Sequence, residues 1–91
     1  MLKIVYTNQM KRDVKLMKRR GKDLSKLTTT LTLLASGTPV PPKYRDHPLS
    51  GEFSDFRECH IEGDWLLIYQ IFETTLILSA AGTGTHSDLF E

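Results

Sequence analysis

Two apolar stripes at helical spacing, separated by a glycine, constrain this chain more than any other feature. Met10, Val14 and Met17 recur at i, i+4 and i+7 with basic residues between them, and Leu24, Leu27, Leu31 and Leu34 share a second face beyond Gly21. Gly21 stops the first helix, Asp23 is placed to cap the second, and Gly37 followed by Pro39, Pro41 and Pro42 ends it. The run Thr28-Thr29-Thr30 has weak helix propensity, so burial of the leucines has to hold that segment helical. A two-helix hairpin cannot hide both stripes by itself. It needs a sheet.

The remaining segments supply one. Residues 2–7 alternate Leu2, Ile4, Tyr6 against Lys3, Val5, Thr7, the pattern of a short strand. After an extended, Pro-marked segment over 38–52, three strands are expected at 53–61, 64–72 and 75–82, with turns at Glu62-Gly63 and Glu73-Thr74. The middle one, WLLIYQIF, is apolar nearly throughout, as a central strand covered on both faces would be. Residues 86–90 read as a short C-terminal helical turn with Ser87 a candidate cap. This order predicts an α+β fold, with an N-terminal strand and a two-helix hairpin packed on one face of a mainly antiparallel four-stranded sheet. At 91 residues the chain is expected to form a single domain, 1–91, and it contains no repeat or low-complexity segment.

Composition narrows the class of function. No apolar run approaches the ~18 residues of a membrane span, and the N-terminus has no signal-peptide apolar region, so no membrane is expected. A lone cysteine, Cys59, excludes an internal disulfide and fits a reducing cytoplasm. The net charge of +1 conceals an asymmetry: of 12 Lys and Arg residues, Lys11, Arg12, Lys15, Lys18, Arg19, Arg20, Lys22 and Lys26 crowd one short stretch. That density suits an anionic partner, either nucleic acid or an acidic peptide, or else a solvated helix face.

Period two in FSDFRECHI sets Phe53, Asp55, Arg57, Cys59 and Ile61 against Ser54, Phe56, Glu58 and His60. Cys59 and Ile61 are the apolar end of their set and are assigned to the helix-covered core, so His60 points onto the open face with Phe56 and Glu58, unless a bulge swaps the faces. The chain's three histidines are His47, His60 and His86, and Asp64 follows His60 across a tight turn. RNA is cleaved without a metal when its 2′-hydroxyl attacks the adjacent phosphate, which requires a base, an acid and positive charge for the phosphorane. Imidazole suits both proton roles near neutral pH, and a carboxylate orients it, raises its pKa or serves as base itself. Each residue also has a local reading: a turn before Pro48 for His47, an unpartnered strand position for His60, a backbone-satisfied helix terminus for His86, a turn for Asp64, simple core for Trp65. A zinc site is disfavoured because no two histidines stand at i, i+4, there is no C-x-x-C, and Cys59 and His60 should face opposite ways. SAAGTGTH lacks the Lys-Ser/Thr of a P-loop and reads as a strand ending in a turn.

Four segments taken together carry a resemblance. Lys43-Tyr44-Arg45-Asp46-His47-Pro48-Leu49-Ser50-Gly51, Phe56-Arg57-Glu58-Cys59-His60-Ile61, Asp64-Trp65-Leu66-Leu67-Ile68-Tyr69 and Thr83-Gly84-Thr85-His86-Ser87-Asp88-Leu89-Phe90 are similar to the YafQ branch of RelE-type toxins, and RDVKLMKRRGKDLSKL is similar to that family's helical hairpin. The resemblance covers the chain in order. It implies a toxin of a type II toxin–antitoxin system, a ribosome-dependent, metal-independent endoribonuclease that needs no cofactor and cuts mRNA. It implies a cognate antitoxin too, small and acidic with a DNA-binding N-terminal half, that joins the toxin in a hetero-oligomer. Carried over by position, His47, His60, Asp64 and His86 match the acid–base group, with His86 as acid and Asp64 or His60 as base. Trp65 and Phe90 match the substrate-binding aromatics. The family usually carries an arginine just before the T-G-T-H turn, where this chain has Ala80, Ala81 and Gly82. Lys43 or Arg45, beside His47, is the expected replacement cation. Lys15, Lys18, Arg19, Arg20 and Lys22 are the expected contacts to ribosomal RNA. The rival reading is a catalytically weak or inactive RelE-fold protein that binds an antitoxin and nucleic acid.

Overall fold

The computed structural model describes residues 1–90. Strand β1 (Lys3–Tyr6) leads through Thr7 into helix α1 (Asn8–Arg19). The Thr7 hydroxyl caps that helix by accepting from the Met10 N–H at 3.0 Å and donates to the Ala81 carbonyl at 3.2 Å, tying the helix start to the last strand. At the far end Gly21, at φ 81°, lets the chain reverse while Lys22 N–H bonds to the Met17 carbonyl and Gly21 N–H to that of Lys18, each at 3.0 Å. Asp23 then caps α2 (Leu24–Ala35) by accepting from the Ser25 N–H. The threonines survive in α2 because Thr30 Oγ1 donates to the Lys26 carbonyl at 2.8 Å and Thr28 Oγ1 to that of Leu24.

The sheet has five strands in the order β1-β5-β4-β3-β2, all pairs antiparallel except β1 with β5. The expected count of four is corrected by β2 (His47–Pro48), a two-residue edge strand inside the segment read as loop. Pro48 has no N–H to continue a ladder, which limits its length. The next strand, expected from residue 53, starts later as β3 (Arg57–Glu62), because Gly51 at φ 65° opens a 3₁₀ turn over Gly51–Phe53. Strand β4 (Trp65–Phe72) is central, and β5 (Ile77–Gly84) begins after Leu76 takes a left-handed φ of 57°. Helix α3 (His86–Phe90) closes the described chain. Its cap is Thr85 rather than Ser87: the Thr85 hydroxyl accepts from the Asp88 N–H while the Asp88 carboxylate accepts from the Thr85 N–H.

Met10, Met17, Leu27, Leu31 and Leu34 from the helices bury against Cys59, Trp65, Leu67, Tyr69, Leu78 and Ala80 of the sheet. Strand alternation therefore turns Glu58, His60, Leu66 and Ile68 to the opposite face, the assignment expected for His60 and Glu58. Among the described residues no helix is long and apolar enough to cross a membrane. Since Thr7 Oγ1 serves both a helix cap and a strand carbonyl, Thr7→Ala is expected to lower unfolding free energy by about 1–2 kcal/mol, measured by urea denaturation.

Candidate functional site

The open face is organised by register. His47 pairs with Glu58 across β2 and β3, and Glu58 pairs with Ile68 on β4. His47 Nε2 lies 2.9 Å from Glu58 Oε2, and His47 Nδ1 donates to the Pro48 carbonyl at 3.1 Å. A proton lies between Nε2 and the carboxylate, because two bare acceptors do not approach that closely. Two residues along β3, His60 Nδ1 donates to the Gly63 carbonyl at 3.1 Å, which leaves His60 Nε2 as an acceptor. His86, at the start of α3, donates from Nδ1 to Asp64 Oδ1 at 2.7 Å, and its Nε2 stands 3.6 Å from Glu58 Oε1. The hydrogen bond to Asp64 raises the His86 pKa above its ordinary value, and the charges of Glu58 and Asp64 act in the same direction. The His60 and His86 rings are 6.2 Å apart, centroid to centroid.

Glu58 lies beneath all of this, only 4% exposed, and its Oε1 has no hydrogen-bond partner among the described residues. A nearly dehydrated carboxylate is costly unless hydrogen-bond donors or positive charge stand close by, and here two imidazoles face it. Glu58 was not among the residues expected to act. The available signal was its period-two relation to His60 on one strand face.

The other face of the same strands fixes where His47 goes. Asp46 accepts from the Tyr69 hydroxyl and from Arg57 Nε and Nη2, the latter two at 3.4 Å. Burial and the bond to Asp46 push the Tyr69 phenol well above its usual range. Asp46 thus pins one side of the two-residue strand while the next side chain, His47, projects to the other side. Arg57 faces away from the histidines, as expected. Burial also pushes the Cys59 thiol up to about 12, so it stays protonated and inert.

The expected site residues divide. His47, His60, Asp64 and His86 converge, although they come from three separate places in the chain. Lys43 and Arg45 line a cleft of about 790 Å³ together with His60, Asp64, His86 and Lys26, and Lys26 is paired with Glu62 at 2.7 Å. Phe90 is 38% exposed, 6.0 Å from the His86 ring and edge-on to Phe53 at 5.6 Å. Trp65 is a correction: it is 1% exposed, packs in the helix-covered core and donates from Nε1 to Thr83 Oγ1, so it offers a substrate no surface. Arg20 is corrected in part, since its guanidinium is committed to Asp88 by two bonds of 2.6 and 3.0 Å and clamps α3 to the end of α1. Lys15, Lys18, Arg19 and Lys22 are exposed. Local spacing disfavoured a metal, yet the fold brings one ligand atom each from His47, Glu58 and His60 within 4.8 Å of one another. Two imidazoles and a carboxylate suit a divalent transition metal.

The family model for YafQ, the bacterial toxin of type II toxin–antitoxin systems, matches residues 2–91. The chain belongs to this family. It is 46% identical over 88 residues to the mRNA interferase toxin YafQ of Escherichia coli, covering 96% of this chain and 94% of that one. Its structure superposes on the toxin of the E. coli DinJ–YafQ complex with a TM-score of 0.89 at 40% identity, covering all of both chains. A metal-bound toxin from Helicobacter pylori matches with a TM-score of 0.93 at 42% identity, over 99% of this chain and 100% of that chain. The fold is that of YafQ structures, and the chain is a toxin of the type II class.

The His86–Asp64 pair has a signed pH dependence. Because the folded pKa of His86 is raised, the pair contributes stability below the ordinary histidine pKa and loses it as pH climbs through the raised value. Asp64→Asn is expected to move the His86 titration down toward the ordinary histidine value, read by NMR of the imidazole protons.

Proposed function

We propose that this toxin is an endoribonuclease that cuts mRNA on the ribosome, in the cytoplasm, by 2′-hydroxyl attack and without a metal. The observation that carries this reading is two imidazoles facing one cleft with different partners: His86, whose pKa Asp64 raises, and His60, whose Nδ1 is turned to the Gly63 carbonyl so that its Nε2 faces away from that bond. His60 Nε2 takes the 2′-hydroxyl proton as the 2′-oxygen bonds to phosphorus. The bond from phosphorus to the 5′-oxygen breaks, and His86 Nε2 delivers its proton to that oxygen. The products are a 2′,3′-cyclic phosphate and a 5′-hydroxyl. Asp64 orients His86, the His47–Glu58 pair supports the imidazolium charge from below, and Lys43 and Arg45, which line the cleft, stabilise the phosphorane. The names of the relatives support the nuclease class, as mRNA interferase toxins.

The exposed α1 cations are read as ribosome contacts. Substituting Lys18 and Arg19 with Glu is expected to weaken ribosome association, most visibly at low salt, without changing the fold. A DinJ-like antitoxin, acidic and forming a hetero-oligomer, is the partner inferred from the complex solved for the relative.

The donor set His47, Glu58 and His60 supports a second role for the same atoms, as does the metal-bound relative. A divalent metal held there would occupy the His60 nitrogen that takes the proton, so bound metal is expected to inhibit. Cleavage should persist in a chelator and fall when zinc is added.

Mapping of mRNA ends after induction tests the reading. His60→Ala and His86→Gln should each slow cleavage by about 10²–10⁴-fold, and the surviving ends should carry cyclic phosphate. Growth arrest that persists in both variants with mRNA intact would establish instead a binding protein without catalysis, the outcome to which Ala80, Ala81 and Gly82 in place of an arginine point.

A further inference from the structure

A second pocket, of about 400 Å³, opens on the same face of the sheet beside the histidine cluster. Register places it: the row His47–Glu58–Ile68–Gly82 runs straight across the open face, with the His47–Glu58 pair at one end and the pocket floor at the other. Ile68 and Leu89 form apolar surface, Phe53, Phe56 and Phe90 supply three aromatic rings, and Phe90 reaches back to the His86 ring at 6.0 Å. Gly82 lets Asp13 and Leu89 come close over the floor. A Cβ there would come within 3.2 Å of Asp13 Oδ2 and 3.4 Å of Leu89 Cδ2.

The two pockets differ in charge. The histidine cleft sets Lys43, Arg45 and Lys26 against Glu62 and Asp64, whereas the aromatic pocket is bordered by the carboxylates of Asp13 and Asp88 with no lysine or arginine in its lining. Arg20 neutralises Asp88, but Asp13 accepts only from neutral donors, the Thr83 N–H at 3.1 Å and Gln9 Nε2 at 2.8 Å, and has no ion-pair partner among the described residues. Phosphate is repelled from such a wall, and a flat apolar group with outward-facing N–H donors fits it. We propose that this pocket is a nucleobase subsite that takes the base flanking the scissile phosphate, stacked on Phe53 with Phe90 perpendicular beside it, and that Asp13 selects bases bearing an exocyclic amino group over uracil. The division is physical: cations and imidazoles take the phosphate, aromatic rings and a carboxylate take the base. Adenine and cytosine present an amino donor where uracil presents a carbonyl acceptor, which a carboxylate cannot hydrogen-bond. The subsite rests on the nuclease reading for its orientation but is measurable without any cutting.

The full chain, labelled in its aromatic rings, is titrated in turn with adenosine, cytidine and uridine 3′-monophosphates and with inorganic phosphate, and followed by NMR. Inorganic phosphate should move His60 and His86 while leaving Phe53 and Phe56 unmoved. The adenosine and cytidine nucleotides should move all of them, with uridine severalfold weaker at the rings. Phe53→Ala should weaken ring-coupled binding about thirtyfold, the middle of what one base–aromatic stack is worth. Asp13→Asn keeps an acceptor for the Thr83 N–H and should admit uridine as well as cytidine. Rings that ignore every nucleotide, that respond equally to cytidine and uridine in the unsubstituted protein, or that respond only to an antitoxin segment overturn the proposal. Absence of cut mRNA in cells with ring shifts intact overturns the nuclease reading alone.

Discussion

The burial of the Glu58 carboxylate governs how the rest of the open face is arranged. A carboxylate with 4% of its surface in water is tolerated only where partners are close, and here His47 at 2.9 Å and His86 at 3.6 Å face it. Both imidazoles are anchored at their other nitrogen, His47 by the Pro48 carbonyl and His86 by Asp64. The orphaned Oε1 marks the one place where the network remains incomplete, directly beneath the atom of His86 that would give up a proton. A half-satisfied polar network in a low-dielectric setting is expensive, and such arrangements concentrate where charge has to move.

Around this centre the fold uses its two faces for different work. The helix-covered face is packed with Met, Leu and the large rings of Trp65 and Tyr69, and it carries the Asp46–Arg57–Tyr69 clamp that holds the β2 edge in register. The open face keeps its polar groups and two adjoining concavities. Helix α3 is too short to be stable alone, so it is held by its reciprocal Thr85–Asp88 cap and by the Arg20 bridge to α1. His86 and Phe90 ride on that helix. The basic α1 surface and the position of His86 are therefore joined through a single ion pair.

Much of the fold was legible in the sequence because it is written in local periods. The stripes of α1 and α2, the reversal at Gly21, the Asp23 cap and the outward direction of His60 each depend on neighbours within a few residues. The missed elements depend on distant partners. His47-Pro48 becomes a strand only because β3 lies beside it, and no alternation exists in two residues to announce it. Thr85 and Ser87 are equally good caps in sequence; the geometry of Asp88 decides between them. Trp65 was expected at the substrate from the resemblance alone, while its local reading was core, and the packing of α1 and α2 over β4 puts it there.

What the sequence by itself determined is the class of fold and the chemical vocabulary of the site: helical stripes that require a sheet, three imidazoles, and carboxylates at period-two and turn positions. Tertiary structure alone decided which of those groups meet. Side-chain direction along one strand follows from the pleat, so His60 and Glu58 share a face in any register. The approach of His47 and His86 to that pair instead depends on strand pairing and on the packing of α3, which join residues far apart in the chain, and such contacts leave no local periodicity to read.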